Sequence, residues 1–522
     1  MRSESLFDAL ADISDDFIIE AVEHKLKKSP FAVLRVCALV ASLLIVVGVG
    51  SFIFFNPGVL PPLGRTSGGG GLGQLGEDGS TVFMSYAGPV FPLSVLADAG
   101  GITAGRDISF DFSGIGQSRT GPYGISLHHS DIMVRDSYTL TNTTANEKTV
   151  QIIYPFSGSF YELGRVRPSV SVNGIALEPE LLAGAYSGGF QGLAGQEDEA
   201  FNLRPINSWQ DYYALLSGGD YLERALGGAP VLNQSVIVYE FTALTADHDA
   251  SENPTLAVGF NLDYARTTVL SQGFHGAFID PDSGFMRQSF SIPREFSPLY
   301  GRAFRLIVIG DDITGITTQG YANAGWHPGE ERDDISAVMT RHEAVLGEIL
   351  TLLVYEFFEI RGGYFGAAQD TMPVGFTPEM FFRAATELLL DYGMLSDEVI
   401  RRYHTGWLED IFSETLVMTR IFYLTSYITI PAGGSVDVTV NMIKPASFDF
   451  FGSGTLNQGL LGYDMMTTLG SALTFSSQTA AIEGFGRIEI VSQNFGFDIE
   501  NGITQVTLDT DVPRYFLEVR IR

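Results

Sequence analysis

The longest apolar stretch of the chain runs without a charged residue from Val36 to Phe55, as VCALVASLLIVVGVGSFIFF. This is close to the roughly 20 residues that a helix needs to cross the hydrocarbon core of a bilayer. Gly48 and Gly50 are acceptable in such a helix. The pattern therefore predicts a transmembrane helix over residues 31–55. A buried core helix is one alternative, but core helices are usually shorter and amphipathic.

A cleaved signal peptide is the second alternative for this run. Signal peptides have a short basic start and an apolar region of about 7–15 residues. The segment before this run instead contains seven acidic residues: Glu4, Asp8, Asp12, Asp15, Asp16, Glu20 and Glu23. The run also continues past the small residues around position 50 into SFIFF. We therefore expect an uncleaved signal anchor that holds the protein in the lipid bilayer.

The charges beside the predicted helix indicate its orientation. The basic residues on its N-terminal side are Lys25, Lys27, Lys28 and Arg35. On the other side the first charged residue is Arg65. Because basic flanks stay in the cytoplasm, we expect a single-pass protein of the cell membrane, with a cytoplasmic N-terminus and an extracellular C-terminal part.

The segments on either side of the predicted helix differ in character. Residues 1–29 have apolar residues at helical spacing, which predicts an amphipathic cytoplasmic tail. Residues 56–80 are rich in glycine and proline, which predicts a linker. The acidic tail and the span resemble those of uncharacterised clostridial and other Firmicute single-pass surface proteins, some of them anti-sigma-like. That resemblance implies an immunoglobulin-like, β-rich ectodomain.

From residue 81 to about 325 the alternation of apolar and polar residues predicts mainly strands. DSYTLTNTTANEKTVQIIYPF is interpreted as one hairpin, and VSVNGIALEP as a tighter one turning at Asn173 and Gly174. NSWQDYYALLSGGDYLERAL, residues 207–226, predicts short helices. The strand–polar turn–YPF pattern resembles immunoglobulin-like sandwiches and is similar to the N-turn-FPLP pattern of vault/inter-α-trypsin-type domains.

Residues 332–420 have helical periodicity and predict an insertion of about three helices, one of them capped by Thr377 with Pro378 at its first position. Strands resume in YLTSYITIPAGGSVDVTVNMI, interpreted as a hairpin, and three more are expected at the end. The predicted fold class is mainly β (α+β), a β-sandwich-like ectodomain with a helical insertion. We expect one β domain over 81–250 and a second over 251–522.

Composition limits the functions open to the chain. Its formal net charge is −30, which repels nucleic acid and anionic lipid headgroups. We therefore expect no nucleic-acid partner. The one cysteine, Cys37, lies in the predicted span, so the exterior part has no disulfides and no thiolate metal site. Such usage is unusual for a eukaryotic extracellular protein and favours a bacterium with a single membrane.

The search for reactive motifs yields no catalytic residues. The chain has no G-x-S-x-G elbow, and His342-Glu343 lacks the second histidine of an H-E-x-x-H zinc motif. On the predicted helix these two side chains point in different directions, which favours a solvated face. The loop with Asp247, Asp249 and Glu252 offers hard oxygen ligands suited to calcium. A polar surface loop is the other interpretation, and no further cofactor is expected.

Aromatic residues beside glycine and polar groups are candidates for stacking on sugars or peptides, and we single out Trp326, Phe451 and Phe495. Core packing is the other interpretation of these rings. The expected function is non-enzymatic binding of a cell-envelope glycan, peptide or protein. One alternative is an anti-sigma-like regulator that signals through the cytoplasmic tail. Another is a cell-envelope hydrolase with an unrecognised pair of acids.

Overall fold

The computed structural model describes residues 85–96, 99–117, 119–120, 126–188, 208–247, 252–292, 304–323, 327–361, 373–396, 407–449, 459–469 and 473–522. This part of the chain is mainly β. The predicted tail, transmembrane helix, basic flanks and linker lie outside it. Among the described helices, none combines the length and apolarity required to cross a bilayer.

The strands of the first half are β1 Ser85–Tyr86, β2 Ser94–Leu96, β3 Ile102–Asp111, β4 Arg119–Thr120, β5 Ser126–Leu127, β6 Ile132–Asn142, β7 Lys148–Gly158, β8 Ser169–Val172, β9 Ile175–Leu177, β10 Glu180–Gly188, β11 Ser235–Thr245 and β12 Thr255–Asn261. Those that follow are β13 Thr267–Gln272, β14 Gly276–Asp280, β15 Phe285–Ser291, β16 Phe304–Gly310, β17 Thr314–Tyr321, β18 Glu331–Arg332, β19 Ser336–Val345, β20 Thr419–Ile430, β21 Ser435–Lys444, β22 Phe448–Asp449, β23 Leu460–Met466, β24 Thr474–Glu483, β25 Ile488–Gln493, β26 Gln505–Thr507 and β27 Arg514–Ile521.

The helices are α1 Leu163–Val166, α2 Trp209–Ser217, α3 Asp220–Leu226, α4 Leu346–Arg361, α5 Pro378–Asp391 and α6 Leu408–Val417, with a 3-10 turn at Phe485–Arg487. The short helices predicted over 207–226 are confirmed as α2 and α3. Ser208 caps α2 by accepting from the Asp211 amide, and Thr377 caps α5 by accepting from the Met380 amide. Side-chain caps of this kind satisfy amides that the helix itself leaves unpaired.

The first sandwich combines strands from both ends of the described chain. Its seven-stranded sheet has the order β26-β24-β3-β6-β21-β8-β9, and its β7 sheet has the order β10-β20-β7-β2. Apolar residues of both sheets, including Val134 and Leu140 of β6 and Val150 and Ile152 of β7, belong to one buried core. A third sheet, β1-β22-β23-β27-β25, also contributes to this core.

Two of the predicted hairpins are wrong in their pairing, although their strands are confirmed. β6 pairs with β3 and β21, whereas β7 pairs with β20 and β2. The connection from β6 to β7 therefore crosses from one sheet to the other, and the connection from β20 to β21 does the same. The tight hairpin between β8 and β9 is confirmed, with Asn173 at φ 50° and Gly174 at φ 78°.

Asn142 forms hydrogen bonds with both of these connections between the sheets, β6–β7 and β20–β21. Its fully buried Nδ2 donates to the carbonyl oxygens of Ile430 at 3.2 Å and Pro431 at 3.2 Å in one crossing. It also donates to the Asn146 carbonyl at 2.8 Å in the other, while its Oδ1 accepts from the Thr144 amide at 3.0 Å. One amide side chain thus satisfies backbone groups of both sheet-to-sheet connections.

We expect Asn142→Ala to lower the free energy of unfolding by about 1–3 kcal/mol, because buried carbonyls would lose their donor. Urea unfolding of the purified chain measures this loss. Asn146→Ala is the matched control, because Asn146 is exposed and accepts through its backbone carbonyl. We expect the control to change stability by less than about 0.5 kcal/mol. Equal effects of the two substitutions would contradict this role for Asn142.

The described residues between positions 235 and 345 form a second sandwich, inserted between the two parts of the first. Its β11 sheet has the order β13-β16-β11-β19, and its β12 sheet has the order β14-β15-β12-β17-β18. A separate apolar core fills the space between them, where the rings of Phe290 and Phe304 stack 3.7 Å apart. We expected a boundary between two β domains at residue 250. Strand pairing instead makes β11, which ends before that position, part of the second sandwich. β11 and β19 pair so that Ser235 lies opposite Val345.

The predicted helical insertion over 332–420 is wrong at its start. Residues 336–345 form strand β19, and the first helix, α4, begins at Leu346. α4 packs on the face of the β11 sheet that carries Val236 and Val238. Arg305 of β16 strengthens this contact by pairing with Glu356 of α4, Nη1 to Oε2 at 2.6 Å. The phenylalanine rings of α4, α5 and α6 pack together around Phe381.

A buried ion pair lies inside the first sandwich. Arg106 of β3 and Asp136 of β6 have no solvent exposure and form two hydrogen bonds, each of 2.8 Å. The hydroxyls of Tyr138 and Tyr154 donate to Asp136 Oδ2 at 2.6 and 3.0 Å. Nη1 of Arg106 donates to the Met466 carbonyl at 2.7 Å. The charges are thus compensated by partners from several strands.

Candidate functional site

Strand β19 is the most exposed long strand of the described chain, and it occupies the edge of the β11 sheet. It pairs with β11 from Ser235↔Val345 to Thr242↔Val338, and the order β13-β16-β11-β19 places no described strand on its outer side. An edge strand presents unpaired backbone amides and carbonyls. These are the groups to which another strand can add.

Both faces of β19 are open to solvent along most of its length. Val338 is 54% exposed and Met339 is 44% exposed, and these neighbours point to opposite faces of the sheet. The polar residues from Thr340 to Glu343 are also exposed. Natural sheets usually protect a long edge with proline, lysine or a cover. β19 contains neither proline nor lysine, although it carries Arg341 and Glu343, and no strand of the described chain pairs with its outer side.

The charges on β19 are of both signs. Arg341 is held by Asp312, with its Nη2 2.9 Å and its Nε 3.2 Å from Asp312 Oδ2. Asp312 Oδ1 accepts from the hydroxyl of Tyr239 at 2.9 Å, and burial together with this hydrogen bond raises the pKa of Tyr239. Glu343 follows Arg341 on the same face of the strand. The edge therefore has an ordered cation and an anion two residues apart.

An open groove of about 470 Å³ lies at the end of β19. Its walls come from three strands of the β11 sheet, and it is lined by Ser235, Val236, Ile237, Val308, Gly310, Glu343 and Ala344. Apolar side chains and one carboxylate thus meet beside the open edge. Two of its lining residues, Glu343 and Ala344, belong to the edge strand itself. The sequence carries no local signal for it, because its lining residues come from three separate segments between Ser235 and Ala344.

The aromatic residues predicted to bind a ligand do not form one site in the described chain. Phe495 is buried, with its ring centroid 5.1 Å from that of Phe497 and 5.2 Å from that of Tyr515. It packs in the core of the first sandwich, in agreement with core packing, the other interpretation of this ring. Trp326 and Phe451 lie outside the described residues.

The loop predicted as a calcium site is tied by an arginine. Arg332 pairs with Glu252, and its Nη2 donates to the Asp247 carbonyl at 2.7 Å. The Asp247 amide donates to Asp334 Oδ2 at 3.0 Å, and the hydrogen bond from Arg332 holds the pKa of Asp334 well below its usual range. Asp249 lies outside the described residues. In the part of the chain that the structure covers, no group of three or more potential ligands is placed to hold a metal.

Carboxyl groups on α5 and α6 have raised pKa values. Burial raises the pKa of Glu414 to about 7, although a hydrogen bond from the Tyr392 hydroxyl opposes this shift. Burial also raises the pKa of Asp410, four residues earlier on α6, and of Asp391 on α5. Tyr186 of β10 is hydrogen-bonded to Asp391.

The geometry defines a mainly β protein with an inserted second sandwich and an open sheet edge. His342 and Glu343, expected on a helix, lie on strand β19 opposite Val238 and Ile237. Comparison with protein-family models, with characterised proteins and with solved structures found no match. The function is therefore argued from this edge and its neighbourhood.

Proposed function

We propose that this protein is a membrane-anchored extracytoplasmic binding protein that holds an extended polypeptide segment against the edge of β19. The observation that carries the proposal is the exposure of both faces of this ten-residue edge strand. Main-chain hydrogen bonds would supply affinity, and pockets for alternate side chains would supply specificity. The groove at Glu343 and Ala344 offers one such pocket.

The location outside the membrane rests on the charge pattern of the sequence. The apolar run over residues 31–55 and its basic flank support an N-terminal anchor with the sandwiches outside. Protease treatment of intact cells tests the orientation. Loss of the sandwiches without lysis supports it, and cleavage that requires lysis contradicts it.

We expect Met339→Lys to weaken binding to the edge at least tenfold, because a lysine on an edge strand blocks the addition of another strand. The probe is a bead-bound ten-residue peptide of alternating Thr and Val, flanked by lysines, and retention of the purified full chain is measured. Met339 is already 44% exposed, so the folded state tolerates the lysine. Ile175→Lys is the matched control, since Ile175 is also an exposed strand residue, 72% accessible.

Insoluble cell-wall sacculi provide the competing probe. Retention on sacculi that Met339→Lys leaves unchanged, together with no retention on peptide beads, would contradict the edge as the binding surface. Such a result would favour a glycan ligand instead. Retention on peptide beads that Met339→Lys abolishes and Ile175→Lys preserves would support the proposed function.

A further inference from the structure

The residues around the middle of β19 are complementary to themselves when the strand is reversed. Arg341 and Glu343 flank His342 and point to the same face of the sheet. We propose that the strand added to this edge is β19 of a second copy of the chain, paired antiparallel in the register centred on His342. This inference rests on the proposed function and names the partner of the same site.

Geometry restricts the registers that such a pair can adopt. A two-fold axis perpendicular to the sheet places a given residue on the same face of the sheet in both copies. Residues that lie directly opposite each other in antiparallel strands also lie on the same face. The axis must therefore pass through a residue position. Centring on Arg341 places two arginines opposite each other, and centring on Glu343 places two glutamates opposite each other. Like charges directly opposite are destabilising.

The register centred on His342 places Arg341 opposite Glu343 of the second copy, and the two-fold axis creates this pair twice. Opposite charges directly across two strands stabilise their pairing. Arg341 uses Nε and Nη2 for Asp312, and its Nη1 can donate to the second copy. The internal ion pair thus holds the guanidinium in place for the intermolecular one.

The same register also matches the apolar residues of the edge. It places Met339 opposite Val345 of the second copy, on the face that carries the charge pairs. On the other face it places Thr340 opposite Ala344. Met339 is exposed in the single chain, so pairing removes apolar surface from water, which is favourable. Two copies would join their β11 sheets into one continuous sheet of eight strands.

Cysteine crosslinking tests this register directly. In a full-length Cys37→Ser background, His342→Cys places the two thiols opposite each other, at a Cα separation of about 4.5–5.5 Å. Disulfides require Cα atoms within about 7 Å. We expect oxidation to convert most of this variant into covalent dimer. Thr340→Cys is the control, because its two copies lie four residues apart along the strands, about 13 Å.

Charge exchange gives a second readout on the same purified chain. We expect Arg341→Glu to reduce the crosslinked His342→Cys dimer several-fold, and Arg341→Glu combined with Glu343→Arg to restore it. Equal crosslinking at positions 340 and 342, or no dimer by light scattering and crosslinking, would overturn the second copy as partner. Peptide-bead retention that Met339→Lys still abolishes would then leave the proposed function standing with a different strand as occupant.

Discussion

Asp136→Asn is expected to lower the free energy of unfolding by about 3–5 kcal/mol, the usual cost of removing one partner of a buried ion pair. The substitution leaves the guanidinium of Arg106 charged and without solvent exposure. It also weakens the acceptor for the hydroxyls of Tyr138 and Tyr154. Urea unfolding followed by tryptophan fluorescence measures the loss.

An exposed ion pair provides the matched control for this substitution. Asp263 pairs with Arg266 at 3.1 Å, but the two side chains are 51% and 68% exposed. We expect Asp263→Asn to cost less than about 1 kcal/mol, because water competes for both charges. The double variant Arg106→Met/Asp136→Leu should recover much of the loss of Asp136→Asn, since it removes both buried charges. A double variant less stable than the single one would contradict this account.

The second large effect is a dependence of stability on pH that arises at Glu414. Burial raises the pKa of this carboxyl from 4.5 to about 7 in the folded chain. The folded state therefore holds the proton more tightly than the unfolded state. Stability from this group is complete below pH 4.5 and is lost as the pH rises to about 7. The shift corresponds to roughly 3 kcal/mol.

We expect Glu414→Gln to raise the free energy of unfolding at pH 8 by up to about 3 kcal/mol and to leave it nearly unchanged at pH 4.5. Glutamine keeps an oxygen for the Tyr392 hydroxyl and carries no charge. Urea unfolding at a series of pH values measures the difference. Asp391, Asp410 and Glu387 contribute in the same direction, because burial raises their pKa values too.

Tyr392→Phe tests how the Tyr392 hydroxyl affects the pKa of Glu414. The Tyr392 hydroxyl donates to the carboxylate and so opposes the effect of burial. Without it, the pH range over which stability is lost should move upward. A difference between the Gln variant and the parent chain that is constant from pH 4.5 to 8 would show that Glu414 does not titrate in this range.

Local signals in the sequence predict those elements whose cause is local. Asn173 and Gly174 adopt positive φ in the turn that their residue types favour, and Thr377 caps the helix that it was expected to begin. In each case a few adjacent residues supply both the signal and the hydrogen bond. Most of the strands can be predicted from alternation for the same reason.

Strand pairing cannot be read from the same patterns. β6 and β7 have the alternation and polar turn of a hairpin, yet β6 pairs with β21 and β7 pairs with β20, both of which lie far along the chain. The polar turn serves equally well for a chain that crosses between sheets, and Asn142 stabilises the crossing through distant carbonyls. The choice between hairpin and crossing is therefore made by contacts that no short segment contains.

The candidate site could not be predicted from the sequence, because it too depends on strand pairing. Residues 336–345 have apolar side chains on both faces and run directly into α4, so their pattern suggests a helix. Pairing with β11 makes them a strand, and their place at the edge leaves those apolar residues exposed. Tertiary pairing overrides local preference here, as is common for strands. An edge is a property of the assembled sheet and has no signature in its own residues.

The pairing of Ser235 with Val345 has a consequence for how such a protein could arise and be altered. Because the two ends of the inserted sandwich are cross-strand neighbours, the first sandwich needs only a tight turn to close the gap that its removal would leave. The insertion behaves as a long loop. Its own folding already offsets the entropic cost of bringing the two ends of this loop together. The inserted sandwich therefore leaves and rejoins the rest of the chain at neighbouring positions, while its β11 sheet shares a buried core with α4.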